Sequence, residues 1–366
     1  MWRNRAIVVE SVLPIQSGLQ SVRVDLGSAR KFEFKVSFTH TDTDSTRTAT
    51  LDAEYGALTE RAGFRLLDDR IMVRVTGDDR ISFFHGMCSA DVKGAHAGDV
   101  VPALFLTEHA HVIGDFLIWF EENALTIETK LSAWPREKEH LEKLLVADDV
   151  EMEELHLLSI LHVEGPRAAE ALATAEISGA DALKPWHCSK SVNTILGRVP
   201  RFGGDAFSLL GDRVVLSEIA DRLARGGAIA VSDGALEVLR VEHGIARIGV
   251  DASEKTIALE ARLQRSISFN KGCYLGQETI ERATARGGLK KKMFGLRFEH
   301  PVLAGCELFL DGKEVGRVSS AVLSPRLGAI GLAILHHSAW TPGRALVARG
   351  ASGEIKAIVS ELPFDK

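Results

Sequence analysis

The chain has 366 residues, 45% of them hydrophobic and 26% charged, with a formal net charge of −6. That length predicts two or three domains and a core that needs no covalent staples, and the acidic balance gives no global reason to expect nucleic-acid binding. The cysteines at 88, 188, 273 and 306 form no C-x-x-C pair, which argues against a disulfide framework or zinc knuckle and suits a reducing compartment.

Near the start, Glu10 ends the apolar run Ala6-Ile7-Val8-Val9 before it could form a signal-peptide core. No uncharged apolar stretch approaches the ~20 residues needed to cross a bilayer, so the expectation is a soluble cytoplasmic protein without a membrane partner. Residues 21–36 alternate charged and apolar side chains, which fits a strand pair or a surface meander. Residues 37–48 are almost wholly polar and predict an exposed loop or disorder. Residues 1–50 are thus an N-terminal arm without an assigned fold.

From residue 51 the pattern tightens. A helix is predicted over 51–62, a strand over 72–75, and a helical turn over 81–85 after Thr76-Gly77-Asp78-Asp79. Residues 100–107 and 112–120 read as strands joined by a short connection, and 134–145 has helical spacing. A second round follows: a strand over 157–163, a helix started by Gly165-Pro166, strands over 194–199 and 207–210, and helices over 217–226 and 233–240. The order strand, glycine turn, helix occurs in both rounds, which suggests two related α+β halves, 51–150 and 151–290. Past a boundary at 289–292, six short strands separated by Gly- or Pro-containing turns predict a small β-barrel or sandwich over 291–366.

His40, Asp42 and Asp44 alternate along the chain, but no further ligand cluster lies near them in sequence, so no metal is expected. The pairs His109/His111 and His336/His337 read as surface polar residues. There is no Walker loop, no G-x-S-x-G and no H-E-x-x-H, and hence no support for nucleotide-driven or serine-hydrolase chemistry.

The segment that stands out is Lys271-Gly272-Cys273-Tyr274-Leu275-Gly276-Gln277-Glu278. Its glycines permit tight turns and close approach of a ligand. The helix-compatible residues 279–285 follow, which sets Cys273 ahead of a helix N-terminus and beside a lysine, two features that favour thiolate. Between 271 and 292 six Lys/Arg face two Glu, a local field suited to an anionic ligand or acidic partner. The bland alternatives are a small buried thiol, a solvated basic face and an ordinary helix start.

This segment resembles the K-G-C-[FY]-x-G-Q-E signature of YgfZ-type folate-binding proteins, relatives of the glycine-cleavage T protein (aminomethyltransferase) and of folate-dependent demethylating enzymes. Phe84–Val92 looks like the first-domain segment of that family, and 239–251 like its L-R-x-E-x-G-x-x-x-x-G-x-D element. Val315–Ser320 with Ser324-Pro325 looks like its C-terminal barrel. The resemblance runs from about residue 51 to the C-terminus. It implies an α+β fold with two ferredoxin-like subdomains around a central folate channel, plus a small C-terminal β-barrel.

The resemblance also implies tetrahydrofolate, or a one-carbon derivative, as the bound cofactor and iron–sulfur client proteins as partners. On it, Asp115 and Cys273 carry the chemistry, while Asp115, Arg240, Lys271, Tyr274, Gln277 and Glu278 contact the folate, Tyr274 by stacking or else by core packing. Two departures stand out. Aminomethyltransferases carry Asp-Asp where this chain has Gly114-Asp115, and Gly-Glu-Asp-Gly where it has Gly203-Gly204-Asp205-Ala206. Three functions therefore compete: a folate-dependent factor supporting iron–sulfur cluster assembly or repair, an aminomethyltransferase, and a non-catalytic module whose basic residues 286–292 engage RNA or an acidic protein.

Overall fold

The computed structural model describes residues 20–25, 31–36, 43–191, 193–285, 288–350 and 353–364. Residues 1–50 and 51–366 are two units. In the first, β1 (Gln20–Asp25) pairs antiparallel with β2 (Lys31–Val36), in register from Gln20↔Val36 to Asp25↔Lys31. This is the strand pair that the alternating pattern predicts. His40 and Asp42 lie outside the described residues. The polar stretch after them does not stay a loop: α1 (Thr43–Glu60) begins within it.

The second unit starts with β3 (Gly63–Leu67), β4 (Arg70–Thr76) and α2 (Arg80–Met87), then β5 (Val100–Leu106), β6 (Val112–Phe120), β7 (Leu125–Lys130), α3 (Trp134–Leu144) and β8 (Glu151–Glu154). Antiparallel pairing gives a five-stranded sheet in the order β5-β6-β7-β4-β8. Its outer face packs under α2 and α3 through Val73, Val75, Phe84, Phe105, Phe116, Ile118 and Leu141. Phe105 and Phe116 stack at 4.0 Å between ring centroids. Its inner face meets the second sheet through Met72, Leu117 and Trp119 against Ile160, Val199 and Leu210. Burial on both faces explains why β6 reads as an almost unbroken apolar run.

Next come β9 (Leu158–Glu164), α4 (Ala168–Thr174), β10 (Cys188–Lys190), β11 (Thr194–Gly197), β12 (Ala206–Asp212), α5 (Arg213–Arg225), β13 (Ile229–Ala230) and α6 (Asp233–Glu242). The second sheet runs β10-β11-β12-β9-β3-β13, so it takes β3 from the first stretch of sequence and the two halves interlock. Asp212 caps α5 by accepting from Val214 N at 2.8 Å, and Leu216, Ile219 and Leu223 form its buried stripe. After α7 (Gln277–Ala285), six strands close a barrel: β14 (Lys291–Phe298), β15 (Glu307–Leu310), β16 (Lys313–Ser324), β17 (Gly328–His336), β18 (Ala345–Gly350) and β19 (Gly353–Ser360). Their order around it is β14-β17-β16-β15-β18-β19. The expected barrel is present, with its strands where the turn punctuation places them.

Candidate functional site

A cavity of about 660 Å³ opens where the first sheet, the loops flanking β11 and the last segment of the chain meet. That volume falls in the range of small-ligand sites, roughly 300–1,000 Å³. Asp115 stands on its wall, set by the register that pairs it with Leu104 on β5. Its carboxylate accepts no hydrogen bond from a described residue, so both oxygens remain for whatever enters. Phe116 and Leu117 beside it, with Pro102 and Trp186, supply apolar wall. Trp186 holds the left-handed φ of +66°, costly for a bulky residue. Its carbonyl accepts from Val100 N and its N–H donates to Arg198 O, both at 2.8 Å.

Positive charge surrounds this acid. Arg70, Arg201, Arg262 and Arg265 all line the cavity. Arg70 and Arg201 converge on Glu128 of β7, which is fully buried and also accepts from Trp119 Nε1 at 3.1 Å. Burial alone would raise the Glu128 pKa, but the two guanidiniums outweigh it and hold the carboxyl down at about 2. Arg262 donates to Met293 O at 2.7 Å and to Glu361 at 3.0 Å. Arg265 has no carboxylate partner among the described residues; its guanidinium lies 5.5 Å from the Trp186 ring centroid. One unengaged acid, an uncompensated arginine at an exposed edge and an aromatic wall suit a flat heterocycle with an anionic tail.

The predicted site residues do not all come to this cavity. Of Asp115, Arg240, Lys271, Tyr274, Gln277, Glu278 and Cys273, only Asp115 lines it. Lys271 turns its ammonium onto the carbonyls of His85, Cys88 and Ala90, and burial pushes its pKa down. It latches the motif to the end of α2 rather than serving as a free cation beside the thiol. Tyr274 packs in the core with Leu104, Leu106, Val112, Ile267 and Ile280, the core-packing alternative of its two readings, and does not line the cavity. Gln277 accepts from Tyr274 N at 3.3 Å and donates to Glu281 at 2.6 Å. Glu278 forms an exposed pair with Arg282.

Gly276 is where the motif needs glycine. Its φ is +88°, and a Cβ there would lie 2.6 Å from Thr107 O in the β5–β6 turn. Cys273 is exposed, while Cys88 is buried, with its thiol pushed up to about 11 by that burial. Helix α7 starts four residues beyond Cys273, so the thiol is not at its first turn.

Arg240 is an internal strut. It donates to Asp251 and Ile245 O at 2.7 Å and to Ser320 Oγ on β16 at 2.8 Å, and it also pairs with Glu237. Glu242 accepts from Tyr55 OH at 3.0 Å and from Ser324. The element at 239–251 thus bolts α6 to the barrel.

Taken together, the chain combines interlocked α+β sheets, a closed six-stranded barrel and a cavity of ligand size. Residues 18–271 match the family description "GCVT N-terminal domain" and residues 291–366 match "Glycine cleavage T-protein C-terminal barrel domain". The chain belongs to this glycine-cleavage T-protein family. It is similar to an Arabidopsis thaliana protein provisionally named a chloroplastic transferase, at 28% identity over 80% of this chain and 68% of that one. It is similar to an aminomethyltransferase of Nostoc sp. at 26% identity over 85% and 86%. Among solved structures it shares its fold with the glycine cleavage system aminomethyltransferase T of Bartonella henselae, with a TM-score of 0.80, 21% identity and coverage of 86% and 89%. Among the described residues no helix is long and apolar enough to cross a membrane.

Proposed function

We propose that this chain is a tetrahydrofolate-binding protein of the YgfZ-type branch that supports iron–sulfur proteins, with the folate in the Asp115 cavity and Cys273 as an accessible thiol outside it. The observation that carries the folate reading is the unengaged Asp115 carboxylate on the wall of a cavity of about 660 Å³. A pterin offers N–H donors to such an acid, and a charge-assisted bond of this kind contributes about 1.5–3 kcal/mol. The aromatic wall at Trp186 suits the benzoyl ring, and Arg265 suits the carboxylates of the glutamate tail. Support for the branch and for the iron–sulfur role comes from the Lys271–Glu278 segment, which Lys271 anchors to Cys88 O and Ala90 O and in which Cys273 is exposed.

The test has two arms. Tetrahydrofolate binding is measured on the wild type and on Asp115→Ala, and the activity of iron–sulfur enzymes is measured in cells carrying Cys273→Ala. Unaltered folate affinity in the first arm removes the cavity assignment. Full enzyme activity in the second removes the role of the thiol.

A second reading, aminomethyl transfer to tetrahydrofolate, is favoured by relatives named aminomethyltransferase along most of their length. It predicts ammonia release that depends on both a lipoyl carrier and tetrahydrofolate, and that is lost in Asp115→Asn.

A further inference from the structure

The cavity wall carries a histidine that the folate reading leaves unused. His243 caps the C-terminus of α6 and lines the cavity together with Gly203, Gly244, Ile245 and Ala246. Its Nδ1 lies 2.9 Å from Leu239 O, one turn back along the helix. A carbonyl only accepts, so Nδ1 carries the hydrogen and donates it. The neutral ring then presents Nε2 as a lone pair. That nitrogen has no hydrogen-bond partner among the described residues and is not sealed off from the cavity.

The ring is held in one orientation. Gly203, at φ +102°, lies against it: a Cβ there would fall 2.3 Å from Cγ and 2.7 Å from Cδ2 of His243. Glycine is needed at 203 both for the left-handed turn and for this close approach. The chain then leaves α6 through Gly244, at φ +67°, where a Cβ would lie 2.7 Å from Leu362 Cβ. Helix α6 is itself tied to the barrel by the bond from Arg240 to Ser320. The imidazole is thus fixed before a ligand arrives, so little ordering is needed to use it. A helix-capping role accounts for Nδ1 and for the ring carbons, but it leaves Nε2 without a purpose.

We propose that His243 is a ligand-contacting, specificity-determining residue: its Nε2 accepts an N–H from the ligand, so the cavity reads its occupant through two acceptors, Asp115 from the first sheet and His243 from α6. The proposal rests on the folate reading above and deepens it. Two fixed acceptors select a heterocycle that carries several N–H donors, as a reduced pterin does on its ring nitrogens and its exocyclic amine. A ring that offers only lone pairs would leave both acceptors unpaired and repelled.

The experiment combines tetrahydrofolate titration with NMR of the imidazole nitrogens, both on the full chain. The His243 resonances are assigned by their absence from His243→Gln. In the free protein this ring is expected in the Nδ1–H form. Saturation with tetrahydrofolate should move the Nε2 resonance upfield while the Nδ1 resonance stays in place, a response that a purely structural ring would not give. His243→Met removes the acceptor at similar side-chain length and should weaken binding about tenfold. His243→Gln carries an amide oxygen to a similar reach as Nε2 and should regain most of that loss. An Nε2 resonance that stays unmoved at saturating ligand, or a His243→Met variant that binds as tightly as wild type, overturns the proposal and leaves the Asp115 site standing. A wild type that binds no tetrahydrofolate removes the folate reading itself, and the proposal with it.

Discussion

Arg201 grips Glu128 with two bonds, Nη1 to Oε1 at 2.6 Å and Nη2 to Oε2 at 3.1 Å. The arginine follows β11 of one sheet and the glutamate belongs to β7 of the other, so this pair and its partner Arg70 clamp the two sheets at the floor of the cavity. Removing one member leaves a buried charge short of its compensation, which costs about 3–5 kcal/mol. Arg201→Met should lose that much stability in urea denaturation.

The same pair sets the acid limit. With Glu128 held at about 2 in the folded state and an ordinary value of ~4.3 unfolded, its stabilisation is complete above the unfolded value. It drains away as pH falls toward 2. In Arg201→Met this acid slope should flatten. A midpoint and slope equal to wild type would show that the clamp does not hold the sheets.

Asp115→Asn keeps the shape of the wall and removes the charge. If the acid accepts a ligand N–H, the loss of about 1.5–3 kcal/mol weakens tetrahydrofolate binding roughly 10- to 100-fold, with little change in stability because no described residue bonds the carboxylate. Calorimetric titration reads the first effect and thermal melting the second. Equal affinities would place the folate elsewhere.

How far the sequence shows this site depends on the kind of signal. The barrel strands and β6 are visible because their apolar runs and turn residues obey period and punctuation. Strand β7 is not: Leu125-Thr126-Ile127-Glu128-Thr129 is buried throughout, yet its three polar residues hide the pattern of a two-sided strand. Glu128 thus reads as a surface charge until Arg70 and Arg201 are seen to meet it. The motif at 271–278 is legible as a segment, but its roles are not. Lys271, Tyr274 and Gln277 spend their polar and aromatic groups holding the segment in place, and only the three-dimensional contacts with His85, Cys88 and Ala90 show that. Arg265 and Trp186 carry no local signature, since their neighbourhood is assembled from distant loops. Gly114 and Gly204 read as plain glycines, whereas Glu137 and Glu164, whose carboxyls press on the places where a Cβ would fall, come from 23 residues downstream and 40 upstream.

Gly276 offers a test of the motif's structural part. Alanine there is strained by the left-handed φ and would press on Thr107 O. Gly276→Ala should cost about 1–3 kcal/mol and loosen the contact between the motif and the β5–β6 turn, which hydrogen exchange at Ala110 N and Ile280 N would report. An unshifted melting temperature would mean that the contact is dispensable.

Arg240→Met tests the strut. Without the guanidinium, the buried Asp251 keeps only its bonds from Ser319, Ser320 and Arg247 N. The expected cost is about 3–5 kcal/mol, with folate affinity unchanged in the fraction that remains folded. A loss of affinity at full stability would instead make Arg240 a ligand contact, as the family resemblance implies.

The alkaline side of the stability curve belongs to Glu137. Its folded value of about 7 lies above the unfolded ~4.3, so the folded state binds the extra proton between these limits. Stability is therefore greatest below the unfolded value, declines as pH rises toward 7 and levels off above it. The full span corresponds to about 4 kcal/mol as an upper bound. Glu137→Gln removes this titration, so the variant's denaturant midpoints should fall less than those of the wild type between pH 5 and 7. If wild type and variant decline in parallel, the side chain at 137 is already ionised across this range, and the arginines at 70 and 136 hold it more strongly than burial opposes.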